Sequence, residues 1–122
     1  MKTIETCTPV YYVAGPMRGI PEFNFPAFDA ATEELRALGA RVFNPAERDR
    51  EVGFDAKGMM GTDAELAAAN FNVREAFEAD TSFICTEATH IYMLPGWSRS
   101  TGATAERALA IALGLTIEGA PA

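Results

Sequence analysis

The sequence predicts an α/β fold: a mostly parallel sheet of four to five strands, covered by helices on both faces. Three observations predict it. Short β-branched and aromatic runs alternate with stretches of helical periodicity along the whole chain. The runs are stopped by Gly or Pro, at Gly15-Pro16, Pro45 and Pro95-Gly96. The 122 residues, 48% hydrophobic and 22% charged, suit one compact domain over 1–122 and leave no room for a second core. Alternation matters because each parallel connection must cross back over a face of the sheet, and a helix does that.

The elements follow in order. Pro9-Val10-Tyr11-Tyr12-Val13-Ala14 reads as a buried strand. Asn24 offers an N-cap, and Phe25, Phe28, Leu35 and Leu38 repeat at helical spacing until Gly39 ends the helix. Ala40-Arg41-Val42-Phe43-Asn44 is a second strand, halted by Pro45. Residues 46–62 are polar and carry Gly53, Gly58 and Gly61; they predict a mobile loop whose Phe54, Met59 and Met60 could cover a ligand. Helix is expected from Asp63 to Cys85, with Asn70 as the candidate break. Thr89-His90-Ile91-Tyr92-Met93-Leu94 is a third strand, Thr101 to Leu113 an alanine-rich helix, and Leu115-Thr116-Ile117 a candidate last strand.

Ten basic against seventeen acidic side chains give a net charge of −7. Such a surface repels a phosphate polymer, which argues against a nucleic-acid partner, whereas a small anion needs only one arginine and a few backbone N–H groups. No apolar run approaches the roughly 18–20 residues that span a bilayer, so no membrane partner is expected. Met1 to Cys7 lacks the apolar core of an export signal, which gives the expectation of a cytoplasmic protein. Cys7 and Cys85 have no metal-type spacing and read as reduced structural thiols. With His90 the single histidine, a protein-built zinc site is not expected, and His90 itself reads as a hydrogen-bonded core residue.

In parallel α/β sheets ligands sit beyond the carboxyl ends of the strands. That rule brings Gly15 to Gly19, Asn44-Pro45 and Pro95 to Gly102 to one rim. Gly15-Pro16-Met17-Arg18-Gly19 is either an ordinary turn or a close backbone approach to an anion with Arg18 as its donor fork. Ser98-Arg99-Ser100-Thr101-Gly102 opens a helix, so its hydroxyls serve as N-caps, as part of an anion site, or both. Asp80 falls inside the apolar stripe Val73, Ala76, Phe77, Phe83 and Ile84. A carboxylate facing a core either is paired, with backbone N–H groups or an arginine such as Arg18, or gains a raised pKa suited to a general acid. Glu106, four residues after Gly102, has Leu109 and Ala110 at i+3 and i+4; it is either a solvated helix glutamate or an inward-facing partner to the anion site. Two carboxylates flanking one pocket suit glycosidic cleavage, one as nucleophile and one as acid. Tyr12, near the end of the first strand, could reach such a site. Phe23, Phe25 and Phe28 are core or pocket wall, and Trp97 either stacks on a nucleobase or covers an oligomer contact.

Tyr12-Val13-Ala14-Gly15-Pro16-Met17-Arg18-Gly19, then Asn24 to Phe28, Asn44-Pro45, and Leu94-Pro95-Gly96-Trp97 with Ser100, Gly102, Ala103 and Glu106, together resemble a phage and bacterial domain family of the nucleoside 2-deoxyribosyltransferase-like superfamily. The likeness runs from about residue 10 to 116. It implies a Rossmann-like (flavodoxin-like) three-layer sandwich and cleavage or transfer at the N-glycosidic bond of (deoxy)nucleosides or their 5′-monophosphates. It implies Glu106 as the nucleophile of a G-x-x-x-E turn with Gly102, Asp80 as the residue that handles the base, and Tyr12 as the tyrosine that ends the first strand. Arg18 and Ser100 are similar in position to the phosphate-contacting residues of deoxynucleoside 5′-monophosphate N-glycosidases, and the Pro95 to Glu106 segment looks, more loosely, like the P-G-G-x-G-T-x-x-E motif of cytokinin-activating phosphoribohydrolases. Where many relatives carry an aspartate before the third strand, this chain has Thr89.

The expectation is therefore an enzyme that needs no cofactor or metal, with Glu106, Asp80 and Tyr12 catalytic. Gly15, Met17, Arg18, Gly19, Asn44, Ser98, Ser100 and Gly102 would surround the phosphate, and Phe25 and Trp97 would wall the base. A homo-oligomer is expected, since relatives complete the pocket from a neighbour. A protein that binds nucleotides without turning them over would carry the same pattern.

Overall fold

The computed structural model describes residues 8–122. Cys7 and the segment read for an export signal lie outside the described residues. Four strands form the sheet: β1 (Val10–Ala14), β2 (Arg41–Phe43), β3 (His90–Met93) and β4 (Thr116–Gly119). All pairings are parallel, in the order β2-β1-β3-β4. Five helices connect them: α1 (Phe25–Ala37), α2 (Pro45–Glu51), α3 (Asp63–Ala68), α4 (Val73–Thr86) and α5 (Thr101–Ala112). This is a Rossmann-like three-layer α/β sandwich, with the order of the first four strands of a flavodoxin-like sheet.

The pleat of β1 divides the core. Tyr11 and Val13 pack with Phe25, Phe28, Ala31 and Leu35 of α1. Tyr12 and Ala14 point the other way, to Ile84 of α4 and Ala103 and Ala110 of α5. Successive strand residues face opposite sides, so one strand buried on both faces must be apolar throughout, and all five β1 residues are buried. The chain goes from β1 to β2 on one side and then to β3 on the other. The reversal leaves a crevice between the carboxyl ends of β1 and β3, where an open α/β sheet takes its ligand.

Several expectations are corrected. Residues 46–62 are not one mobile loop: Pro45 starts α2, Asn44 caps it by accepting the Ala46 N–H at 2.9 Å, and Ala46, Asp49, Phe54 and Ala56 are buried. The polar surface of this seven-residue helix hides its apolar side from a search for longer periods. Asn24 does not cap α1 with its side chain. Its Nδ2 donates instead to the Pro16 carbonyl at 2.9 Å, tying α1 to the β1 loop. Glu22, Phe23 and Asn24 all adopt left-handed backbone, with φ of 56°, 52° and 62°. That turn, costly for non-glycine residues, places Phe23 in the core. The break at Asn70, at φ 55°, is where expected and separates α3 from α4. Cys85 is exposed rather than structural. Among the described residues no helix is long and apolar enough to cross a membrane.

Candidate active site

The crevice is a cavity of about 800 Å³ beyond the carboxyl end of β1. Its walls come from the Gly15 to Ile20 loop, from α2, α4 and the first turns of α5, and from Phe23, Phe25, Phe54 and Phe71. Tyr12, Asp80 and Glu106 all line it. β1 delivers Tyr12 on the α4/α5 face, 1% exposed, with its ring stacked on Phe43. α5 begins at Ser100, whose side chain accepts the Ala103 N–H at 3.1 Å, and this start sets Glu106 inward in the second turn at 6% exposure. α4, capped by Asn72 through the Glu75 N–H at 3.0 Å, packs beside α5 and brings Asp80 to the same cavity.

Tyr12 Oη donates to Glu106 Oε2 at 2.8 Å. Burial pushes Glu106 up to about 8, and the Asp80 charge adds to the rise while Tyr12 opposes it. Burial also pushes Asp80 up to about 7, reinforced by Asp49, with Tyr12 and Arg48 pulling the other way. Asp80 Oδ1 is buried without a hydrogen-bond partner among the described residues. Like charges this close do not both ionise readily near neutrality, so the pair retains a proton. The Tyr12 hydroxyl itself, fully buried beside the two acids, is pushed well above its ordinary range and stays protonated.

The rim supplies cations and donors. Arg18 lines the cavity and pairs loosely with Asp63 at 3.5 Å, not with Asp80, so it remains a half-exposed cation. Arg99, Ser100, Thr101 and Gly102 line the other lip. In α5 the Ala103 and Thr104 N–H groups are taken by Ser100, whereas among the described residues those of Thr101 and Gly102 meet no acceptor. A Cβ at Gly102 would meet only Phe77 Cε1, at 4.0 Å. Protein packing therefore does not demand a glycine there, and the space it leaves belongs to the cavity. Gly15 differs, since its Cβ would stand 2.7 Å from Leu94 Cβ, so its glycine serves the close approach of the β1 and β3 ends.

Not every expected residue arrives. Met17 and Phe25 line the cavity, as does Gly19, but the Gly19 N–H already donates to the Gly61 carbonyl at 2.7 Å. Asn44 is buried and occupied: besides capping α2 it donates to Asp29 Oδ1 at 3.0 Å, and its neighbour Pro45 reaches the wall instead. Ser98 is exposed in a 3₁₀ turn away from the cavity. Trp97 is buried on the α5 side of the sheet, donates Nε1–H to the Ala120 carbonyl at 2.9 Å and carries Arg107 over its ring, so it neither walls the cavity nor covers a surface. Phe54 lines the cavity, whereas Met59 packs with the core and Met60 is exposed. The Asp80 stripe is only half core: Ala76 and Ile84 are buried, but Val73 and Phe77 stand exposed at the mouth. His90 bonds Thr89 Oγ1 through Nδ1 at 2.7 Å and packs against Tyr11.

One residue was missed by sequence reasoning. Asp49 of α2 is 6% exposed and lines the same cavity, and burial pushes it up to about 6 against the pull of Arg48 and Arg50. A signal existed: Asn44-Pro45 is a cap followed by proline at the first helical position, and Pro45, Ala46 and Asp49 then share one helix side.

A family model described as a domain of unknown function (DUF4406) matches residues 9–118, so the chain belongs to that family. No curated protein matches it significantly.

Proposed function

We propose that this member of the DUF4406 family is a cytoplasmic enzyme that cleaves, or transfers at, the N-glycosidic bond of a (deoxy)nucleoside 5′-monophosphate. The observation that carries this reading is the buried Glu106–Tyr12 pair with the partly buried Asp80, in a cavity whose lip offers Arg18, Ser100 and the N–H groups of Thr101 and Gly102, which meet no acceptor among the described residues. The lip takes the phosphate, because an arginine and a helix start both favour an anion. The sugar then lies over Tyr12 and the base extends towards Asp80.

In the reaction, the proton that the acid pair retains moves to Asp80 as the sugar's developing positive charge favours an ionised Glu106, and a Glu106 carboxylate oxygen bonds to C1′ as the bond from C1′ to the base nitrogen breaks. The electron pair leaves with the nitrogen, which takes the proton held by Asp80. Water, or the N–H nitrogen of a second base, then gives its proton to Asp80 and displaces Glu106 from C1′, which regenerates the enzyme. The Tyr12 hydrogen bond holds the negative charge on Glu106 while positive charge builds at the sugar.

Incubation with a panel of nucleoside and deoxynucleoside monophosphates, followed by chromatography, should release free base and sugar phosphate. Recovery of every nucleotide intact would favour the second reading, a nucleotide-binding protein without turnover. What favours that second reading is the high proton affinity of Glu106, which keeps the empty site's carboxylate largely neutral at pH 7. The open mouth, with apolar Val73 and Phe77 exposed at 41% and 39%, also supports a homo-oligomer. Light scattering at micromolar concentration should give more than one chain per particle, and a monomer would contradict this part.

A further inference from the structure

Asp49 has no part in the glycosidic chemistry above. It is nevertheless a carboxylate 6% exposed in the cavity wall. Its Oδ1 lies 3.6 Å from Arg48 Nη1, an arginine it shares with Glu75 at 3.5 Å. A carboxylate has about four acceptor sites, and one long ion pair leaves most of them open to the N–H groups of a ligand. Its place in the cavity follows from how the helices pack. Arg48 of α2 reaches Glu75 of α4 at 3.5 Å, and α4 packs on α5 through Ile84, Ala103 and Ala110, so α4 with Asp80 stands between α5 with Glu106 and α2 with Asp49. The acids thus run in the order Glu106, Asp80, Asp49. A nucleotide with C1′ at Glu106 and its glycosidic nitrogen at Asp80 turns the far edge of its base towards Asp49, between aromatic walls that include Phe54 and Phe71.

We infer that Asp49 reads the far edge of the base and selects bases with an amino group at that edge, the 4-amino group of cytosine or the 6-amino group of adenine, over uracil and thymine. This inference rests on the glycosidic reading for the placement of the nucleotide. A carboxylate offers acceptors only; it pairs with an amino group and repels the carbonyl oxygen that replaces it in uracil. Discrimination of this kind comes from leaving buried polar groups unpaired with the wrong ligand.

The test is calorimetric binding of the 5′-monophosphates of deoxycytidine, deoxyadenosine and deoxyuridine to the Glu106→Ala protein, which keeps them intact, and to the same protein carrying Asp49→Asn. Before the second substitution the two amino-bearing nucleotides should bind at least about tenfold more tightly than the uracil one. Asp49→Asn, similar in shape and checked for folding by thermal melting, should remove most of that preference by weakening the amino-bearing ligands. Equal affinities at the outset, or an equal loss for all three ligands, would overturn the inference. Binding of none would overturn both the inference and the reading beneath it. Selective binding without base release by the wild type would remove the glycosidic chemistry and leave base selection standing.

Discussion

Glu106 is held with a proton affinity far above that of a free glutamate, and this has a consequence for stability. Its pKa is about 8 in the fold, against about 4 in an unfolded chain. Between those values the folded state holds a proton that the unfolded state has lost, so stability falls as pH rises through that window. Asp80 and Asp49, raised to about 7 and about 6, act in the same direction over narrower windows. Glu106→Gln keeps an acceptor for Tyr12 and cannot ionise. It should therefore melt higher than wild type at pH 8, with a gain on the order of 2 kcal/mol, and almost alike at pH 5. An equal difference at both values would show that Glu106 is not held protonated by burial. Tyr12→Phe removes the one donor that Glu106 Oε2 has among the described residues. Both acids should then titrate higher, so the pH–rate profile should move to higher pH and the rate should fall by roughly 10- to 100-fold. A profile that keeps its position would separate Tyr12 from the two carboxylates.

Among the elements, the start of α5 and the turn after β1 use glycine for opposite reasons. Gly102→Ala adds a methyl group in open cavity and improves the helix, so it should stabilise the protein by up to about 1 kcal/mol while weakening nucleotide binding. Gly15→Ala meets Leu94 at 2.7 Å and should lower the melting temperature. A Gly102→Ala protein that binds as tightly as wild type would mean that no ligand approaches that turn. α2 depends on its cap: Asn44→Ala loses the bond to the Ala46 N–H and the one to Asp29, and should cost about 1–2 kcal/mol. Denaturant unfolding would measure that loss, and an unchanged midpoint would remove Asn44 from the support of the Asp49 wall. This element was the least legible in the sequence. Seven residues give less than two turns of periodicity, and five of the seven are charged, so only Asn44-Pro45 announces the helix. By contrast β1, β3 and α5 were readable, because their apolar runs are ended by glycine or proline and begin or end at the rim.

For the whole molecule, the alternation of strands and helices carried the topology further than any motif. It implies a parallel sheet, and a parallel sheet leads to the expectation of a ligand crevice at the strand ends, where the cavity lies. Asp80 and Glu106 could be recognised because each interrupts or adjoins an apolar stripe. That Trp97 turns away to the Ala120 carbonyl, and that Ser98 points outward, depends on a 3₁₀ turn with no signature of its own. Asp49 enters the wall only because residues far apart in sequence fold back over the same crevice. A carboxylate pair of this kind works on a substrate only if both acids act at one bond. Base release from the best nucleotide of the panel, compared between wild type and Glu106→Ala, is the measurement that decides this, with calorimetry confirming that the variant still binds. A loss of at least about a thousandfold with binding retained is the expected result, and base release at the wild-type rate would contradict it.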